Sequence, residues 1–280
     1  MSIIYGKGIY IMGEPQPVKI SLTPKPGVEY IDGFSSQIED PAVVSIWSEA
    51  ISNNTSITNE TTVIYIDYEG RHYRISVGSI FSGVYGPELS FMMEVIGFNH
   101  DILSNANAYG KVTKTGRAGI TFCTKNVANT LGMNTSNTNV GSWKESNIRS
   151  SSLPELKQAM VPPTFRYDIA SAIKPVNKLS GLGGGSSSGV ETTSDGLFLL
   201  SEVEVFGSTT YSVPGEGTQY AYYKAGNSKV RYLRGDTATT WWLRSPYSGN
   251  SERFCSVDSN GAAHTDGVSI SRDFPFAFCI

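Results

Sequence analysis

Apolar positions along this chain come in short bursts, and the spacing within each burst names the element it forms. The run PAVVSIWSEAI, residues 41–51, reads as a short helix leading into a polar Asn/Thr loop. Beyond that loop, TTVIYIDYEG and RHYRISVG alternate apolar with polar residues and predict a hairpin with Glu69-Gly70 at its turn. A third apolar run, LSFMMEVIGF, is expected to pair with those two strands. LPELKQAM and RYDIASAI carry helical spacing beside helix-start signals, and Pro175 closes the second. From about residue 196 onward, short apolar runs alternate with Gly, Asn, Ser and Asp clusters, the pattern of short strands joined by long exposed loops.

The first 42 residues differ from the rest. Pro15, Pro17, Pro24, Pro26 and Pro41 surround an alternation of Val18, Ile20 and Leu22, so this segment reads as extended strands and turns. An extended arm seldom makes a core alone, and residues 1–42 are expected to attach to a partner or neighbouring subunit. Residues 43–280 then form the main domain. The stretch SGLGGGSSSG, 180–189, is read as a flexible surface loop inside it, because the chain beyond residue 189 lacks the helix and strand for a separate core.

Composition agrees with a turn-rich, short-strand protein. Of 280 residues, 39% are hydrophobic and only 17% charged, and 29 are glycine. The net charge of −3 and pI near 5.7 offer no basic stripe for nucleic acid. No apolar run reaches membrane-spanning length, and the start, MSIIYGKGIYIMGEPQP, has neither the basic region nor the cleavage site of a secretory signal, so no membrane partner is expected. Cys123, Cys255 and Cys279 are odd in number and lie in no CxxC or Cys/His cluster, which favours buried free thiols, with one Cys255–Cys279 bridge left open.

Candidate chemistry is sparse. His72, His100 and His264 are the only histidines. His100 beside Asp101 is the arrangement of a base or a metal ligand, yet no second His or Cys lies at ligand spacing, and hydrogen-bonded structure is the plainer reading. Gly183-Gly184-Gly185 lacks the ending of a phosphate loop. Glu14-Pro15-Gln16-Pro17 lies far from the C-terminal region in which a calcium-lectin tripeptide would sit, and no loop gathers enough oxygen ligands for calcium. No catalytic residue, metal site or cofactor is expected.

The ordered landmarks carry more. Ile96 to Asp101 (IGFNHD), Ala118 to Phe122 (AGITF), Gly141-Ser142-Trp143 with Asn147-Ile148-Arg149, Leu153-Pro154, Ile173 to Val176, Leu197 to Glu202, Trp241 to Pro246 (WWLRSP) and the closing Phe278-Cys279-Ile280 together resemble the domain-of-unknown-function family numbered 6273, found in gut Firmicutes, their prophages and phages. The resemblance covers roughly residues 43–280. It implies an α+β, C-type-lectin-like domain with short strands, few helices and long loops, similar in outline to formylglycine-generating enzymes and phage tropism determinants. The paired cysteines of the enzyme branch lie a few residues apart, whereas Cys255 and Cys279 are 24 apart, a departure that argues against an oxidase.

Within this frame Trp241 and Trp242 are expected in the core, with at most one exposed, and Arg244 is expected to hold the loop after it through backbone carbonyls. Tyr220 and Tyr222 would share one side of a strand, with Tyr223 and Lys224 next to them. The loops beyond Pro246 mix Tyr, Ser, Asn and Gly with a few charges, which fits a recognition surface and equally fits solvated turns. The recognition reading selects Tyr247, Asn250, Glu252, Arg253, His264, Asp266 and Arg272 as ligand-binding residues. The expected function is that of a non-enzymatic, virion-associated protein of tail, baseplate or fibre, assembled in the bacterial cytoplasm. Its arm would bind other virion proteins and its loops a host cell-surface glycan or protein, with a trimer as the phage-fibre expectation. A purely structural virion subunit (collar, decoration or baseplate packing) is the alternative.

Overall fold

The computed structural model describes residues 17–34, 40–81, 91–105, 113–127, 130–161, 168–233 and 237–280. In chain order the elements begin with β1 (Lys19–Ser21), β2 (Ile31–Asp32), α1 (Pro41–Ser52), β3 (Val63–Tyr68), β4 (Arg71–Ser76), β5 (Ile80–Phe81), β6 (Met93–Phe98) and β7 (Ile120–Thr124). There follow β8 (Asn126–Val127), β9 (Thr130–Leu131), a π-helical turn over Ile148–Ser152 that runs into α2 (Leu153–Ala159), and α3 (Ile169–Ala172). Next come β10 (Val176–Gly181), β11 (Val190–Asp195), β12 (Leu197–Phe198), α4 (Glu202–Phe206), α5 (Ala221–Lys224), β13 (Arg231–Leu233) and β14 (Ala238–Thr239). The chain closes through β15 (Trp241–Pro246), β16 (Arg253–Val257), β17 (Ala263–Gly267), β18 (Arg272–Asp273) and β19 (Ala277–Cys279). Short strands with few, short helices make this an α+β fold. No helix among the described residues is long and apolar enough to cross a membrane.

Local chemistry explains the elements that were legible. Asp40 caps α1 by accepting from Ala42 N, and Pro41 occupies the first turn, where its missing N–H costs nothing. The buried side chains Val44, Trp47 and Ile51 recur along one face of that helix. The β3–β4 hairpin turns at Glu69 and Gly70, both at positive φ (50° and 75°), which is the conformation of a two-residue turn matched to strand twist.

The third apolar run does not join that hairpin. β3 and β4 sit in a four-stranded sheet of order β1-β3-β4-β2, so both described strands of the 1–42 segment hydrogen-bond onto the hairpin of the same chain. Residues 1–16, including Glu14-Pro15-Gln16, lie outside the described residues. β6 instead pairs with β5 and β7 in a five-stranded sheet of order β12-β19-β7-β6-β5. Every residue of β6, β7 and β19 is buried there, so these strands have no solvent face and show no alternation. The C-terminal residues are thus central. β19 lies between β12 and β7, Ile280 N donates to Ile120 O, and Ser48 Oγ from α1 donates to the Ile280 carbonyl. Gly119 makes that docking feasible, because a Cβ at this position would overlap the Ser48 carbonyl.

A second five-stranded sheet, β17-β16-β15-β18-β9, carries the C-terminal loops. A β10–β11 ribbon and a β14-β13-β8 sheet complete the molecule, and residues 182–189 connect the two strands of the ribbon. Tyr220 to Tyr223 form the start and body of a helical turn rather than a strand, and all three tyrosines are buried. The start of RYDIASAI lies outside the described residues, but its second half forms α3, capped by Asp168 accepting from Ser171 N.

Candidate functional site

The interior beneath the two large sheets is unusually ionic. Arg244, on β15, is fully buried and donates from Nη1 and Nη2 to Glu204 at 2.5 and 2.9 Å. The remaining donors reach the carbonyls of Leu199, Leu179 and Glu216 at 2.8, 3.1 and 3.0 Å. Those acceptors belong to β10, to the residues after β12 and to the loop before α5, so Arg244 ties together three separate segments rather than the loop beyond Pro246. Glu204 does double duty: it also closes the α4 capping box by accepting from Ser201 N at 3.0 Å.

Lys178 extends the network, its Nζ lying 2.6 Å from Glu204 Oε1 and 2.7 Å from Asp101 Oδ1. Asp101 further accepts from Thr121 Oγ1 at 2.6 Å and from Tyr220 OH at 2.9 Å. Burial pushes the Asp101 carboxyl up, but Lys178 and His100 together outweigh it and hold the group well below the usual carboxylate range. Glu204 is likewise raised by burial and brought below its ordinary value by Arg244 and Lys178. Among the described residues no cation contacts the Glu216 carboxyl: burial raises it to about 7, against the opposing hydrogen bonds of Ser245 Oγ and Gly181 N.

His100 is 6% exposed, stacks on Tyr220 with centroids 3.8 Å apart, and donates from Nε2 to Thr218 O at 3.0 Å. It lines a cleft of about 290 Å³ with Asp101, Lys178, Glu204, Glu216 and Thr218. No group of three or more His, Cys, Asp or Glu residues suited to a metal ion occurs among the described residues. All three cysteines are free and buried, so Cys255 and Cys279 are not bridged, and burial raises each thiol above its ordinary range.

The sequence-selected residues sit on and beside the β16–β17 hairpin. Asn250, Glu252 and Arg253 are exposed, Tyr247 is half-buried with its ring edge-on to Tyr211, and His264 is exposed. Asp266 is only 4% exposed, and its oxygens are occupied by Arg272 Nη2 at 2.9 Å and Ser256 Oγ at 2.7 Å. Burial alone would raise the Asp266 carboxyl, but those two hydrogen bonds bring it below its ordinary value. Arg253 crosses to the Thr265 carbonyl and hydroxyl, both at 3.0 Å, so the hairpin is braced by one of its own exposed residues. Trp241 and Trp242 are both fully buried, their indole N–H groups donating to Lys229 O and Leu131 O.

One organising residue of these loops escaped the sequence reading. Asn139 is fully buried, and its Nδ2 donates to the carbonyls of Arg253 at 2.7 Å and Asn250 at 2.9 Å. Its Oδ1 accepts from Gly184 N at 2.7 Å, and its own N–H donates to Ser251 O at 2.5 Å. A single amide therefore locks the 182–189 connection to the 247–253 loop. Asn139, one of three Asn in the polar stretch NTSNTNVG, carries no local sign of that burial.

Several landmark residues lie in this buried frame rather than on the loops: Asp101, Thr121 and Arg244 belong to the ionic network, Ser201 caps α4 against Glu204, and His100 stacks on Tyr220. No curated protein and no solved structure matches the chain significantly. Residues 119–280, more than half of the chain, match the family described as a domain of unknown function, DUF6273, and the chain belongs to that family.

Proposed function

We propose that this protein is a non-enzymatic binding protein of a bacteriophage particle whose C-terminal loops contact the host surface. The observation that carries the reading is the lock at Asn139, which fixes the backbone of two loops while leaving Asn250, Glu252 and Arg253 exposed. Loops held in one conformation before contact lose little entropy on binding, which is how preorganised recognition surfaces gain affinity. The interior charges support the same reading, since Arg244, Lys178, Asp101 and Glu204 are engaged with one another and serve the frame. The lectin-like description of the fold belongs to this proposal and is supported by the short strands and loop-bearing C-terminal sheet. The phage setting rests on where family members with these landmarks occur. Repeated copies on a particle would let modest affinity per domain suffice.

The test is binding of fluorescently labelled protein to intact cells of the candidate host, compared with an Asn250→Ala, Glu252→Ala, His264→Ala variant whose fold is checked by circular dichroism. Loss of binding in the folded variant is the expected result. Absence of binding by the assembled parent protein would overturn the reading in favour of a subunit that contacts only other virion proteins.

A further inference from the structure

We infer that the cleft between the helical run 148–159 and the bend joining β11 to β12 binds a phosphate group through Arg149 and Lys157. The cleft has a volume of about 370 Å³, within the general range of small-molecule sites, roughly 300–1,000 Å³. Arg149 is held from behind: its Nε donates to Asp195 Oδ1 at 2.7 Å and its Nη1 to the Lys144 carbonyl at 3.0 Å. Asp195 is itself buried and fixed, accepting on its other oxygen from Trp143 Nε1 at 2.9 Å and Thr193 Oγ1 at 2.6 Å. The guanidinium is therefore positioned while its Nη2 has no partner among the described residues.

Lys157 comes from the far end of the same helical run and crosses over Gly196, where a Cβ would lie 3.2 Å from Nζ. That ammonium also has no partner among the described residues, so the lining carries two cations against one carboxylate, a net charge of +1. Hydroxyl-bearing Ser150 and Ser194 complete the polar wall.

The geometry selects phosphate over carboxylate. A carboxylate is recognised best by a two-pronged edge of a guanidinium, but Asp195 occupies Nε and so removes the Nε–Nη2 edge of Arg149, while the Lys144 carbonyl takes one N–H of Nη1. What is left is Nη2, the second N–H of Nη1 and a point charge from Lys157, arriving from opposite ends of the same helical run. Donors converging from separate directions suit a tetrahedral oxyanion.

The site uses none of the C-terminal loop residues, and its test reads a small molecule rather than cells, so it stands or falls independently of the surface-binding proposal. The experiment is titration of the full chain with glycerol 3-phosphate, inorganic phosphate, acetate and glycerol, monitored by calorimetry and by amide shifts in two-dimensional NMR. Saturable binding of the two phosphates, weakening with salt and shifting the Trp143 indole signal, is expected. Tighter binding of glycerol 3-phosphate than of inorganic phosphate assigns the natural ligand to esters, and the reverse order to the free anion. Lys157→Gln, which touches no buried partner, is expected to weaken binding about tenfold, the loss of one charge-assisted contact. Arg149→Lys, which keeps a cation beside Asp195, provides the second variant and is expected to weaken binding similarly. No saturable phosphate binding, equal binding of acetate, or unchanged affinity in Lys157→Gln would each overturn the assignment.

Discussion

Replacing Arg244 by Met tests whether the buried ion network holds the fold together. Met has a similar volume and no hydrogen-bonding group to leave buried, so the substitution removes the guanidinium without opening a large cavity. Glu204, 3% exposed in its side chain, then loses a bidentate partner. Removing one member of a buried ion pair typically costs about 3–5 kcal/mol. The low end applies to that part, because Lys178 stays 2.6 Å from Glu204. The carbonyls of Leu179, Leu199 and Glu216 lose a donor as well, at about 1 kcal/mol each or more. The total, on the order of 5 kcal/mol, matches the lower end of the usual stability of a whole domain, about 5–15 kcal/mol. Urea unfolding followed by tryptophan fluorescence is the assay. Arg244→Met is expected to be largely unfolded or to show a sharply lowered midpoint, and Arg244→Lys, which restores charge but not the fork, to lose about half as much. Adding Glu204→Gln to Arg244→Met should recover part of the loss, because Asp101 and Glu204 otherwise share Lys178 alone and one buried carboxylate charge is left in excess. An Arg244→Met protein within about 1 kcal/mol of the parent would refute the reasoning.

Three further outcomes are expected. Asn139→Ala should cost about 1–3 kcal/mol and raise hydrogen exchange in residues 247–253 and 182–189, because several backbone groups lose their partner at once; unchanged exchange would remove the basis for a preorganised surface. Glu216 is raised to about 7 from an ordinary value of 4.5, so the folded state binds the extra proton and this contribution, on the order of 3 kcal/mol, is complete below pH 4.5 and lost as pH rises through 7; urea midpoints should fall between pH 5 and pH 8, and Glu216→Gln should flatten that slope. Gly183→Ala should destabilise by about 1–3 kcal/mol, measured by thermal unfolding, since φ is +74° and a Cβ would overlap the Asn139 carbonyl.

What the sequence by itself determined was local. The helix from Pro41, the Glu69-Gly70 turn and the α2 run are written in neighbouring residues, because φ values and side-chain period are decided within a few positions. The family could also be read from the order of its landmarks. What it could not supply was pairing. LSFMMEVIGF has the same apolar look whether it joins the β3–β4 hairpin or a different sheet, and only the space between β5 and β7 chose. Tyr220 and Tyr222 fit a strand by alternation, but their burial came with a helical turn. The same limit hid the polar interior. Arg244, Glu204, Lys178 and Asp101 lie 26 to 143 positions apart, and nothing local marks Lys178 as buried rather than solvated. An ion network is a property of which segments meet, because desolvation and charge pairing act through space. The sequence therefore set the locally coded elements and the family, and the tertiary structure decided how they paired, which charges became frame and which remained on the surface.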